Sequence, residues 1–439
     1  MIKPIVAIVG RQNVGKSTLL NRIANKQIAI VEDLPGTTRD RIFADAEWNS
    51  IQFTIVDTGG LEFKDESLLG QDVRKQVEAA IEEADVIIFL TDVKDGLMPV
   101  DQTIAQILRK SHKPLVLVVN KVDNQKLESE SAEFYKLGLG EPLIISGYHG
   151  RGVADLLDKV TGMLPPQPAP EENPVKGLCV AIVGHPHVGK SLLLNRLLGK
   201  DRSIVGENPG TTRDAIDTQL DYEGQNVVLI DTAGIRRKGK VEQGIEWFSV
   251  LRAMRAIDRA DIGLLVIDAT EPLTAQDAHI AGYIEKAGKG VAILVNKWDL
   301  VTEKDQTEFT DYIRDRLKFA PYAPILYISA KTGQRVNKVM PLVFQIAQER
   351  ALQIPDEEVN NLIKEVVKSH NLPHKGKKVL ELYSARQGGI NPPSFRFVVN
   401  EPELVHFSYE RFLENRLREV YGFNGTPIRL SFKIRGSKA

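Results

Sequence analysis

Short apolar runs, PIVAIV at 4–9, FTIVD at 53–57, VIIFLTD at 86–92 and PLVLVVN at 114–120, alternate with longer stretches whose apolar positions recur at helical spacing. Runs that are apolar at nearly every position predict strands buried on both faces, and helices between them predict parallel pairing through crossovers. One pair of strands in each half, near 43–49 with 51–57 and near 216–222 with 226–231, is joined too tightly for a crossover. A hairpin is expected there, so the fold class is α/β with mixed, mostly parallel sheets and helices on both faces.

The pattern occurs twice. IVAIVGRQNVGKSTLLNRIAN at 5–25 matches LCVAIVGHPHVGKSLLLNRLLG at 178–199. Gly10 and Gly184, Lys16 and Lys190, the PGTTRD strings opening at Pro35 and Pro209, and Asp57 and Asp231 are all 174 residues apart. Asn120 and Asn296 are 176 apart, and Ser146 and Ser329 are 183 apart, the drift that insertions between fixed elements produce. So long a period is that of a whole domain. TGMLPPQPAPEENPVK at 161–176, with five prolines, cannot continue a helix or a ladder and reads as a stiff linker. The expected domains are 1–165, a linker at 166–176, a second copy at 177–350, and a third, small α/β domain at 351–439. In the last, helices near 357–370 and 408–421 and strands near 377–385, 394–400 and 427–434 are expected.

Charge changes this picture only regionally. Across 439 residues, 57 Lys and Arg balance 58 Asp and Glu, but residues 360–439 carry 14 against 7, a net of +7 that leaves −8 for the rest. A basic small domain is a candidate RNA platform. The single cysteine, Cys179, excludes an internal disulfide framework and fits a reducing cytosol. The N-terminal residues lack a charged n-region and cleavage site, and no stretch approaches about 18 apolar residues, so a soluble, unexported, cytoplasmic protein is expected.

Gly10-Arg11-Gln12-Asn13-Val14-Gly15-Lys16-Ser17 and Gly184 to Ser191 both match G-x-x-x-x-G-K-[ST], each after a strand and before a helix. Backbone N–H groups there curl round phosphates, Lys16 or Lys190 faces the β and γ oxygens, and Ser17 or Ser191 offers a hydroxyl to Mg²⁺. Gly10, Asn13, Val14, Gly15 and Thr18 belong to the first nucleotide site, and Gly184, His187, Val188, Gly189 and Leu192 to the second. Asp57-Thr58-Gly59-Gly60 and Asp231-Thr232-Ala233-Gly234 end the hairpins: the aspartate can hold Mg²⁺ through water, and Gly60 or Gly234 can bring its N–H to the γ-phosphate. Thr38 and Thr212, within PGTTRD, are expected to join Mg²⁺ only while the γ-phosphate is present.

Asn120-Lys121-Val122-Asp123 and Asn296-Lys297-Trp298-Asp299 follow strands at the edge where doubly wound sheets bind ligands. Asp123 or Asp299 can accept from guanine N1–H and its amino group, a donor pair adenine lacks, and Ser146 with Gly147, or Ser329 with Ala330, would place N–H groups near the guanine oxygen. These residues are expected to select GTP and GDP over adenine nucleotides.

This ordered set resembles the translation-factor-related GTPases, and two such domains with a small C-terminal domain resemble the Der (EngA) family across essentially the whole chain. The resemblance implies tandem P-loop GTPase domains, GTP hydrolysis and a KH-like RNA-binding domain, working in ribosome biogenesis on the 50S subunit or its precursors and their rRNA. Where Ras-like enzymes carry a water-orienting glutamine, this chain has Leu61 and Ile235. The resemblance implies a K⁺ ion instead, held by Asn13; His187 takes that place in the second copy and is a poor ligand for a hard cation, so weaker K⁺ stimulation is expected there. Arg236-Arg237-Lys238-Gly239-Lys240 follows Ile235 as a solvated loop or a nucleotide-gated contact.

Gly422-Phe423-Asn424-Gly425 looks like a KH clamp but falls between a helix and a strand, so a helix cap and turn is expected. RNA contact would then rest on Lys377, Lys378, Arg386, Arg396, Arg429, Lys433 and Arg435. The leading expectation is a monomeric enzyme acting as a switch; the alternative is a nucleotide-stabilised RNA-binding scaffold with little turnover at one site. A small-molecule kinase is disfavoured by the paired N-K-x-D motifs, and a membrane-remodelling GTPase by the lack of an amphipathic or spanning segment.

Overall fold

The computed structural model describes residues 3–25, 43–58, 74, 77, 78, 80–166, 177–199, 204–209, 216–232, 246–302, 305–369, 372–375 and 378–434. Thr38, Gly60, Leu61, Thr212, Gly234, Ile235, the cluster from Arg236 to Lys240, linker residues 167–176, Lys377 and Arg435 lie outside the described residues. The chain divides into two compact units, residues 1–172 with 239–255, and residues 173–238 with 256–439.

In the first unit the elements run β1 (Ile5–Val9), α1 (Lys16–Asn25), β2 (Phe43–Trp48), β3 (Ile51–Asp57), β4 (Val86–Asp92), α2 (Pro99–Ser111), β5 (Leu115–Asn120), α3 (Gln125–Glu130), β6 (Leu143–Ile144) and α4 (Val153–Met163). The sheet order is β2-β3-β1-β4-β5-β6. β2 pairs antiparallel with β3 and every other pairing is parallel. All five residues of β1 and all seven of β4 are buried, as continuous apolar runs require of strands covered on both faces. Val6, Ile8, Ile88 and Leu90 pack with Leu19, Leu20 and Ile23 of α1 and Leu156 and Val160 of α4 in one core, while their buried alternates Ala7, Ile87 and Phe89 face the opposite side. The chain crosses from β3 on one side of β1 to β4 on the other. That reversal opens a crevice at the C-terminal end of β1, where the first phosphate loop leaves the sheet.

The second copy of the motifs repeats the plan: β7 (Leu178–Val183), α5 (Lys190–Leu197), β8 (Ile204–Pro209), β9 (Ile216–Tyr222), β10 (Gln225–Ile230), α6 (Glu246–Arg259), β11 (Ile262–Asp268), α7 (Ala275–Lys286), β12 (Gly290–Asn296), α8 (Gln306–Arg316), β13 (Ile325–Tyr327) and α9 (Val339–Arg350), all within the second unit except α6, which the division at 255 splits. Its sheet order is β13-β12-β11-β7-β10-β9-β8. β8, which pairs antiparallel with β9 and reaches Pro209 of PGTTRD, is a seventh strand that apolar patterning does not announce.

The same unit holds the C-terminal elements α10 (Asp356–Ser369), β14 (His374–Lys375), β15 (Lys378–Val379), β16 (Leu382–Gly389), β17 (Ser394–Val399), α11 (Phe407–Tyr421) and β18 (Arg429–Ile434). β16, β17 and β18 form a three-stranded sheet, antiparallel then parallel. Ala385, Phe395, Phe397 and Val399 pack under Val359, Leu362, Leu413 and Leu417 of the two helices. Arg386 stands opposite Arg396, and Arg396 opposite Ser431, on the other sheet face.

The Gly422–Gly425 string caps α11, with Gly422 at φ 87°, and seats the domain. Phe423 is fully buried, its N–H donates to Glu349 Oε2 at 2.7 Å, Gly425 N–H donates to Tyr322 O at 2.9 Å and Gly425 O accepts from Val291 N–H at 2.7 Å. Arg350, 3% exposed, donates to Gly288 O at 3.0 Å and Thr426 Oγ1 at 3.1 Å. The Arg418 guanidinium lies 4.0 Å from the Tyr322 ring centre. Arg429, exposed at the start of β18, donates through Nη2 to the carbonyls of Glu285 and Lys286 at the end of α7, at 3.0 and 2.5 Å.

Candidate nucleotide sites

Each phosphate loop turns on the glycine before its lysine. Gly15 and Gly189 sit at φ 95° and 99°, and a Cβ on either would come within 2.5 or 2.3 Å of the Asn120 or Asn296 amide nitrogen. Only glycine provides both the left-handed backbone and the close approach. Asn13 and His187 occupy the same left-handed turn, at φ 61° and 69°.

The asparagines of the N-K-x-D strings act as clamps. Asn120 Nδ2 donates to Val14 O at 2.8 Å, and its Oδ1 accepts from Gly147 N–H at 2.8 Å, which ties the phosphate loop to the serine turn. Asn296 does the same with Val188 O at 2.7 Å and Ala330 N–H at 2.8 Å. Both side chains are 2% exposed, so each bond forms where water cannot replace it. The following lysines brace the arrangement: Lys121 reaches Asn13 O at 2.7 Å and Asp92 Oδ2 at 2.5 Å, and Lys297 pairs with Asp268.

Lys16 Nζ donates to Gly10 O at 2.8 Å and Arg11 O at 2.6 Å, and Lys190 Nζ to Gly184 O at 2.8 Å and His185 O at 2.7 Å. Burial lowers both ammonium groups to a pKa of about 8, an environment that gains from an incoming anion. Ser17 Oγ donates to Asp57 Oδ2 at 2.5 Å, so two hard oxygen donors converge where a small divalent cation could sit. Asp231 takes φ 53°, its N–H donating to Asp217 Oδ1 at 3.0 Å, and Thr232 meets Thr218 hydroxyl to hydroxyl at 2.8 Å. Thr18 is exposed beside the first loop, and its counterpart Leu192 is 47% exposed.

Two more groups join the sites. Arg11 pairs with Asp95 at 2.8 Å and with buried Asp101 at 3.6 Å, and the equivalent His185 bonds Asp277 through Nδ1 at 2.9 Å. Arg22 Nε donates to Gly147 O at 3.2 Å, as Arg196 Nε does to Ala330 O at 3.2 Å. Sequence reasoning passed over these arginines, although both lie in the shared LLNR string; their matching places in the repeat were the available signal.

At the base corner Asp123 accepts from Ser146 Oγ at 2.8 Å and from Lys94 Nζ at 2.7 Å. In the second unit, His187, Leu192, Lys297, Asp299, Leu300 and Lys331 line an open cleft of about 150 Å³, with Gly189 and Asn296 at its floor. Phosphate loop, carboxylate and serine turn thus come together in each unit, an arrangement that can bind a purine nucleotide by both ends. Among the C-terminal cations, Lys378 pairs with Glu401 at 2.6 Å, while Arg386 and Lys433 are exposed and Arg396 is half-buried on the open sheet face.

A family model described as a 50S ribosome-binding GTPase matches residues 5–121 and again 179–297, and one described as KH-domain-like of EngA bacterial GTPase enzymes, C-terminal, matches residues 353–433. The GTPase Der of Chloroflexus aggregans is 53% identical to this chain over 447 aligned residues, covering 100% of this chain and 99% of that one. The same-named proteins of Caldanaerobacter subterraneus and Listeria innocua are 51% and 49% identical, each covering 99% of this chain and 100% of their own.

Proposed function

This chain belongs to the Der (EngA) family and is a GTP-hydrolysing enzyme, and from that premise we propose that its two sites are switches controlling how the C-terminal domain meets ribosomal RNA during maturation of the large (50S) subunit. The observation that carries the reading is the duplicated asparagine clamp, which in both units fixes phosphate loop and serine turn around one base corner. A family description naming a 50S ribosome-binding GTPase supports the partner, and the basic charge of the last 80 residues, with Arg386, Arg396 and Lys433 on an open sheet face, supports RNA contact. Among the described residues no helix is long and apolar enough to cross a membrane. We assign the protein to the cytoplasm as a monomer.

In this reading guanine N1–H and its amino group donate to Asp123 or Asp299, while Lys16 or Lys190 exchanges its carbonyl partners for β- and γ-phosphate oxygens. That exchange favours the charged lysine which burial disfavours. Ser17 with Asp57, and Ser191 with Asp231, would hold Mg²⁺, joined by Thr38 or Thr212. The bound ion supplies neutralisation of charge between the β- and γ-phosphates. Gly60 and Gly234 would present N–H groups to the γ-phosphate. In hydrolysis the water oxygen bonds to γ-phosphorus, the bond to the βγ-bridging oxygen breaks with its electron pair leaving on GDP, and the water's protons pass to phosphate and solvent. Leu61 and Ile235 carry no group that could orient that water; at the first site Asn13 would hold a K⁺ ion, which would supply positive charge there beside switch backbone groups.

Sedimentation of cell extract in GDP, GTP and a non-hydrolysable GTP analogue tests the partner. The protein should travel with a 50S-type particle in at least one state. If it travels with none in all three, the ribosome assignment is lost and GTP hydrolysis stands.

A further inference from the structure

The two base-corner aspartates are held differently. Asp123 receives Ser146 Oγ on Oδ1 at 2.8 Å and Lys94 Nζ on Oδ2 at 2.7 Å, with His149 Nε2 at 3.9 Å from Oδ1. At the second site Asp299 Oδ1 is buried with no hydrogen-bond partner among the described residues. The difference starts at the strand ends. Lys94 lies two residues beyond Asp92, the last residue of β4, and Thr270 lies two beyond Asp268, the last of β11. Thr270 folds back, its N–H and hydroxyl both donating to Asp268 Oδ1 at 2.9 and 2.7 Å. The Lys94 N–H likewise donates to Asp92 Oδ1 at 2.9 Å, but its side chain, 50% exposed, extends to Asp123. Its root is fixed and its tip is free to leave.

We propose that Lys94 is a positioning residue that competes with guanine for Asp123, so that nucleotide enters the first site by displacing an internal ion pair that has no counterpart among the described residues of the second. The proposal rests on the reading that Asp123 receives the base. Guanine brings two neutral donors and calls on both carboxylate oxygens, whereas the ammonium offers Oδ2 a charge-assisted bond. The pairing acts on both partners: the hydrogen bond with Asp123 raises the Lys94 pKa, and the hydrogen bond with Lys94 lowers that of Asp123. Because the pair is partly exposed, its influence is modest, roughly two- to fivefold in nucleotide affinity.

Inosine separates this role from general support of the loop. It keeps N1–H but lacks the amino group, so it needs one carboxylate oxygen and can leave Oδ2 to Lys94. The experiment uses the full chain carrying Lys190→Ala, so that only the first site binds, and measures Kd for fluorescent mant-GDP and mant-IDP with Lys94 retained, Lys94→Met and Lys94→Arg. The expected result is preference for GDP in the parent, GDP binding tightened roughly two- to fivefold by Lys94→Met, IDP binding tightened less, and a parent-like ratio of the two in Lys94→Arg. Unchanged or weaker GDP binding in Lys94→Met, or equal tightening of both nucleotides, overturns the proposal. A parent that does not distinguish GDP from IDP overturns the base role of Asp123, and the competition with it.

Discussion

Asn13 and His187 occupy one turn of two near-identical loops, at φ 61° and 69°, both with exposed side chains, so their chemistry differs while their backbone does not. An amide oxygen is a hard donor of the kind that replaces water around K⁺, and an imidazole nitrogen is not. Lys190→Ala leaves the first site to turn over and Lys16→Ala leaves the second. GTP hydrolysis should rise more on changing NaCl for KCl in the Lys190→Ala chain than in the Lys16→Ala chain; equal stimulation in the two refutes the assignment. The glycines of these loops were legible in sequence because their demand is local, a left-handed φ that other residues resist. The clamping work of Asn120 and Asn296 was not. N-K-x-D spacing points to a base site, but bonds spanning 106 and 27 residues to Val14 and Gly147 exist only once the sheet has formed.

At the scale of elements, the turn between α11 and β18 shows a short string taking a role that its composition suggests only in part. Gly-Phe-Asn-Gly reads as a helix cap, and Gly422 is one. What the string alone does not reveal is that Gly425, at φ 72°, accepts the N–H of Val291 at the start of β12. A Cβ there would meet Ile346 Cγ1 at 2.5 Å and Val291 O at 3.2 Å. Gly425→Ala should therefore cost about 2–4 kcal/mol from overpacking and a left-handed alanine. A lowered thermal midpoint, with proteolysis releasing the C-terminal residues early, is the expected readout; an unchanged midpoint and cleavage pattern would show that this seat contributes little. Buried parallel strands such as β1 and β4 were legible because a short run that is apolar at nearly every position must be covered on both faces. β8 was not, since IVGENP lacks such a run and owes its strand to pairing with β9. The contacts of Arg429 were not legible for a similar reason: charge predicts an exposed position, which it has, and only tertiary structure shows that it also reaches the carbonyls at the end of α7.

For the whole molecule, a net charge of −1 conceals a division of labour. Residues 360–439 carry +7 and the rest −8, so a basic C-terminal stretch, which we propose faces RNA, and two GTPase domains coexist in a chain whose total charge signals neither. The duplication goes deeper than resemblance, because the glycine approaches, clamp bonds and lysine partners recur within a few tenths of an ångström. It is also incomplete, because Asn13 against His187, Thr18 against Leu192 and Lys94 against Thr270 give each copy its own chemistry. On this account one chain holds two separate guanine-nucleotide sites, and calorimetric titration with GDP tests that most directly. The full chain should bind two equivalents, and Lys16→Ala and Lys190→Ala should each bind one, with Asp299→Ala removing the equivalent that remains in Lys16→Ala. A single equivalent in the unmutated chain, or the same equivalent lost in both lysine variants, would contradict it.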